Sequence, residues 1–168
     1  MKKWVLLLAL FSLIGCEQSE KTTTPLSQQA IKKYTQETTL LGVVSNQEGR
    51  IKSGVVKVTD ETKKLITSAE VNNHGQYEVS IPANTVLPIL LTVEQGSEQY
   101  LVVVIDPSIH QYDINPLTTK IAEAAKAMGG YTRANLVVAA SNMVHVPDAN
   151  KTTTGFRGDP TTQYGGWH

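Results

Sequence analysis

The sequence predicts a mainly β protein: a seven-stranded Greek-key sandwich over residues 40–115, a C-terminal two-helix hairpin over 116–146, and flexible ends. Two observations carry this. Between Leu40 and Asn115, short runs rich in Val, Ile, Leu, Thr and Tyr recur about every ten residues, each bounded by Gly, Asn, Asp or Pro. After Asn115 the apolar spacing lengthens to that of a helix and Ala, Glu and Lys become frequent.

The expected strands are Leu40 to Ser45, Gly54 to Thr59, Leu65 to Val71, Gln76 to Ile81, Ile89 to Glu94, Tyr100 to Ile105 and His110 to Ile114. Turns are signalled by Asn46-Gln47-Glu48-Gly49, Asp60-Glu61-Thr62-Lys63, Asn72-Asn73-His74-Gly75, Pro82-Ala83-Asn84, Gln95-Gly96-Ser97 and Asp106-Pro107. Val56 and Val58, and Tyr77, Val79 and Ile81, alternate with polar neighbours, so each strand has one buried and one wet face. Val102 to Ile105 is continuously apolar, which predicts a central strand.

The stretches LLGVVSNQEGRIKSGVVKVTD and TSAEVNNHGQYEVSIP resemble the carboxypeptidase-regulatory-like, transthyretin-like domain. Gly42, Gly49, Val56, Val58, Gly75, Tyr77, Val79 and Pro82 match its pattern, and Ser53-Gly54-Val55 departs mildly from it. The resemblance implies a transthyretin-like sandwich that is not catalytic.

Asn115 predicts an N-cap and Pro116 a first helical residue, with Gly129 as the stop. Thr132 is placed to cap a second helix to about Val144, whose Leu136, Val137, Ala140, Met143 and Val144 form one stripe. The segment INPLTTKIAEAAKAMGG is similar to a P-L-T-T segment that follows β-sandwich modules in bacterial lipoproteins and surface proteins.

The chain begins Met1-Lys2-Lys3, and the apolar run Trp4 to Ile14 is too short for a bilayer that needs about twenty residues. Residues 1–15 therefore read as a signal peptide. Leu13-Ile14-Gly15-Cys16 resembles the bacterial lipobox and holds the only cysteine in the chain. The resemblance implies cleavage after Gly15 and lipidation of Cys16. Two or more acyl chains anchor a protein stably, each buried methylene contributing about 0.8 kcal/mol. Glu17, rather than Asp, follows the cysteine, which by the lipoprotein sorting rule implies an outer-membrane address, on the periplasmic face or the cell surface.

Residues 16–39 are rich in Gln, Glu, Ser, Thr and Lys and read as a tether, with a short helix over Ser27 to Thr35 whose Ala30, Ile31 and Tyr34 share a face. Residues 147–168 are rich in Gly, Thr and Pro and read as a flexible tail. Its Phe156, Tyr164 and Trp167 are candidate anchors for a partner's groove.

Lys and Arg number 15 and Asp and Glu also 15, so no basic excess points to nucleic acid. Neither GGYTR nor GFRGDP has the strand–turn–helix context of a phosphate loop, and no G-x-S-x-G elbow occurs. His74, His110, His145 and His168 have no ligand spacing, so no metal is expected; no cofactor and no catalytic residue are expected either. Arg157-Gly158-Asp159 is similar to the integrin-binding tripeptide and also suits a turn. The expected function is thus a lipid-anchored, non-enzymatic envelope lipoprotein, a binding or scaffold module with the membrane and an envelope protein as partners. The alternative is a surface lipoprotein that adheres or binds carbohydrate or a small ligand through Tyr77, Tyr100 or Tyr112.

Overall fold

A computed structural model describes residues 31–144. They form a mainly β protein with two C-terminal helices. The strands are β1 (Thr38–Val43), β2 (Ser45–Asn46), β3 (Gly49–Arg50), β4 (Val55–Asp60), β5 (Leu65–Glu70), β6 (Gln76–Ile81), β7 (Ile89–Gln95) and β8 (Glu98–Val104). The helices are α1 (Pro116–Ala127) and α2 (Arg133–Val144). All named strand pairs are antiparallel: β5-β4-β7-β8 make one open sheet, β1-β6 a second, and β2-β3 a short hairpin.

Period-two patterning decides which faces are buried. On β6, Tyr77, Val79 and Ile81 are buried and Gln76, Glu78 and Ser80 exposed. The inward residues Val56 and Val58 of β4 and Ile89, Leu91 and Val93 of β7 join them, with Leu40 and Val44, in one hydrophobic cluster. Full burial of each such aliphatic side chain contributes about 1.5–3 kcal/mol.

Among the described residues the strands number eight, and two of the expected seven are corrected. Leu40 to Ser45 divides: β1 stops at Val43, and Ser45 and Asn46 turn into a hairpin with Gly49 and Arg50. The Asn46 side chain accepts from the Glu48 and Gly49 N–H groups and closes that turn. His110 to Ile114 is not a strand; it runs beside β1 and Val44, with two isolated parallel bridges, Leu41 with Gln111 and Val44 with Ile114.

The continuously apolar Val102–Ile105 is likewise not central, since β8 ends its sheet. Both its faces are nonetheless covered. Val102 and Val104 face the same way as their β7 partners Leu91 and Ile89, into the cluster. Leu101 and Val103 face the other way, where α1 packs on β8. A helix layer therefore takes the place of a neighbouring strand.

Folded structure also reaches into the expected tether. Lys32 to Tyr34 runs beside residues 84–87: Leu87 N–H donates to the Lys32 carbonyl at 2.9 Å, and Tyr34 N–H to the Thr85 carbonyl at 3.0 Å. Ile31–Thr35 is not helical, and Tyr34 is 1% exposed. Its apolar ring fills the core, which a polar-looking sequence context concealed.

Asn115 caps α1 as expected. Its side chain accepts from Leu117 and Thr118 N–H, both at 2.9 Å, while its own N–H donates to the Thr118 hydroxyl. At Gly129, φ is +107°, a backbone that glycine adopts without strain, and the helix ends there. The Thr132 hydroxyl accepts from Asn135 N–H at the start of α2. Leu136, Ala139 and Ala140 are the buried residues of α2, with Val137 and Met143 half-buried.

Candidate functional site

The described residues concentrate buried polar groups along one seam, where residues 110–114 lie beside β1. The backbone there follows a parallel ladder. Leu41 N–H donates to His110 carbonyl, Tyr112 N–H to Leu41 carbonyl, Ile114 N–H to Val43 carbonyl, and Ser45 N–H to Ile114 carbonyl, at 2.9–3.0 Å. A regular ladder would also carry Val43 N–H to the Tyr112 carbonyl. That rung is replaced. Val43 N–H donates instead to Asp113 Oδ1 at 2.9 Å, and the Tyr112 carbonyl turns onto Gly42, where it accepts the Tyr77 hydroxyl. Only a residue without a side chain permits this approach.

The electrostatics follow from burial. Asp113 is 5% exposed, and desolvation raises its carboxyl above 3.8 against the lowering pull of Val43 N–H and the Arg50 guanidinium. Burial, then the Asp113 charge, pushes the Tyr77 hydroxyl well above its ordinary value. Tyr34 is pushed up to about 12 by burial and by Asp106. The Tyr34 hydroxyl is the one buried side-chain polar atom with no hydrogen-bond partner among the described residues.

A second tie lies at the N-terminal edge. Lys32 Nζ meets Asp106 Oδ2 at 2.8 Å. Burial raises the Asp106 carboxyl, but the Lys32 ammonium and the Ser108 hydroxyl and N–H outweigh it and hold it at about 2.

The P-L-T-T residues have a defined task. Thr119 Oγ1 accepts from Leu101 N–H at 2.9 Å, and Thr118 Oγ1 donates to Leu101 carbonyl at 3.0 Å. Leu101 lies on the outer edge of β8, so the two hydroxyls close an edge that would otherwise offer a free donor and acceptor.

No family model and no curated protein matches this chain. The geometry of its own residues therefore carries the reading. Hydrogen bonds and ion pairs along the seam hold segments together. Among the described residues, no group of three or more His, Cys, Asp or Glu side chains is placed to hold a metal ion. His74 sits in a turn, its N–H bonded to Asn72 and its carbonyl to Arg50; His110 contributes its carbonyl to the ladder.

Tyr77, Tyr100 and Tyr112, the candidate aromatics of the carbohydrate-binding alternative, are 3%, 7% and 0% exposed, Tyr77 lying in the core as its alternation predicts. Their rings fill the core, and none is open to stack on a sugar. Leu13, Ile14, Gly15, Cys16, Glu17, Phe156, Tyr164 and Trp167, with His145 and His168, lie outside the described residues. No described helix is long and apolar enough to cross a membrane.

Sequence reasoning missed Lys32, Tyr34, Asp106 and Asp113 as structural partners. Gly42 and Tyr77 were singled out by pattern, and they mark the place where Asp113 acts.

Proposed function

We propose that the protein is a lipid-anchored lipoprotein of the bacterial outer membrane whose head is a non-catalytic binding or scaffold module in an envelope assembly. The observation that carries this reading is the placement of Cys16: the only cysteine follows Leu13-Ile14-Gly15, after an apolar run that opens on Lys2-Lys3. The thiol is acylated, the leader is cut before it, and residues from Glu17 onward join the lipid to the head.

The head reads as a transthyretin-like Greek-key sandwich. In such a sandwich, residues 110–114, which bridge β1 without forming a strand, would extend the β1-β6 sheet against β5-β4-β7-β8. The buried polar groups of the seam are spent on tying segments together, which supports a rigid head rather than a reacting one. A rigid module at the end of a tether presents its loops at high local concentration near the membrane. Phe156, Tyr164 and Trp167 are its proposed anchors for an envelope protein.

The test is mass spectrometry of the protein extracted from membranes of its native cell. The expected result is an N-terminal acylated Cys16 and no residue before it. A free thiol at Cys16 or an intact leader overturns the anchor. Crosslinking in the same cells is expected to recover an envelope protein, reduced when Phe156 and Trp167 are replaced by Ser.

A further inference from the structure

The two helices differ in their outward faces. On α1, Lys120, Glu123 and Lys126 are exposed, as solvent requires. On α2, Arg133 is the sole charged residue, and none occurs from Ala134 to Val144. Leu136, Ala139 and Ala140 are buried, and α2 packs on α1. The outward row Ala134, Val138 and Asn142, at i, i+4 and i+8, is exposed, and Val138 is 48% exposed. The outward row thus carries no charge and exposes Val138, an uncharged face that a covering segment would shield.

What covers it is constrained by size and connection. One face of a three-turn helix is far smaller than the roughly 800 Å² that each partner contributes to a stable interface. A second copy would gain too little from this row alone. A segment of the same chain needs much less contact, because linkage supplies an effective concentration in the millimolar range. Residues 145–168 follow α2 directly and hold Val146, Phe156, Tyr164 and Trp167.

We propose that the chain's own C-terminal segment docks on the Ala134–Val138–Asn142 row of α2, with its aromatic residues as anchors. A partner that uses the same aromatics must first displace them from α2. The docking itself does not depend on the lipid anchor.

Trp167 reports on it. The chain from Glu17 onward lacks Trp4, so Trp167 is its sole tryptophan. Its emission is expected to be blue-shifted, and its quenching by acrylamide several-fold weaker, relative to a peptide of residues 145–168, at every protein concentration. V138D and N142R are each expected to restore the peptide's emission. Asn142 is exposed, so N142R keeps the fold even if V138D does not, and circular dichroism checks both. Peptide-like emission in the unsubstituted chain overturns the proposal. A blue shift that grows with protein concentration assigns the row to a second copy and also overturns it. So does a blue shift that survives N142R in a folded protein.

Discussion

The carbonyl oxygen of Tyr112 stands 1.9 Å from the point where a Cβ on Gly42 would be. The carbonyl carbon of Tyr112 is 2.7 Å from that point and the Tyr77 ring 3.0 Å. Two backbones and one ring thus converge on a position that only glycine can fill. G42A is expected to push residues 110–114 off β1, at a cost of about 3 kcal/mol or more. Urea denaturation measures the loss, and amide exchange at Tyr112 and Ile114 locates it.

Two tyrosine hydroxyls in the same core should respond oppositely to removal. Y77F strands the buried Tyr112 carbonyl without its donor and is expected to cost about 1–3 kcal/mol. Tyr34 buries its hydroxyl with no partner among the described residues, so Y34F removes a desolvated group and is expected to be neutral or stabilising. Thermal melts of the two single variants decide it.

Asp113 of the seam and Asp106 of the N-terminal tie give stability opposite dependences on pH. Asp113 has a folded value raised above 3.8, so the folded chain holds its proton more tightly than the unfolded one. Its contribution is complete below 3.8 and is lost as pH rises through the raised value. Asp106 is held at about 2, so its contribution is complete above 3.8 and is lost as pH falls through about 2. D113N keeps an acceptor for Val43 N–H and is expected to abolish the first dependence. K32M is expected to shrink the second, by about 1 kcal/mol at most after solvent screening. Urea midpoints from pH 7 down to pH 2 measure both.

Thr118 and Thr119 should matter more than their size suggests. Thr118 serves both the capping box and the β8 edge. T118V is expected to cost about 1–2 kcal/mol, the usual value of a lost helix cap. The double variant T118V/T119V leaves the Leu101 N–H and carbonyl without their partners and is expected to self-associate, seen by light scattering.

Local pattern made much of the architecture legible. β6 has the bounds its alternation predicts, β4, β5 and β7 lie within a residue of theirs, and Asn115 and Gly129 bound α1 as their backbone preferences require. The failures share a different cause. Nothing within Gln111–Ile114 reveals that it meets β1 some seventy residues earlier, or that Asp113 supplies one of the rungs. Tyr34 lies in a polar stretch, and its burial depends on residues 84–87 lying opposite. Val102–Ile105 is apolar on both faces because α1 covers one of them, and an apolar run alone cannot distinguish a covering helix from a neighbouring strand. Cys16, Glu17 and the tail aromatics lie outside the described residues, and their proposed roles rest on motif and composition alone.

The parallel ladder has a consequence for how the chain comes into being. A polypeptide is synthesised from its N-terminus, so β1 emerges long before residues 110–114 exist. Until then Leu41 and Val43 present an open main-chain edge that a neighbouring nascent chain can occupy. The head can close only after residues 110–114 have emerged. A holding chaperone therefore has a definite target, the vacant flank of Thr38–Val43, and a definite moment of release, the arrival of Ile114.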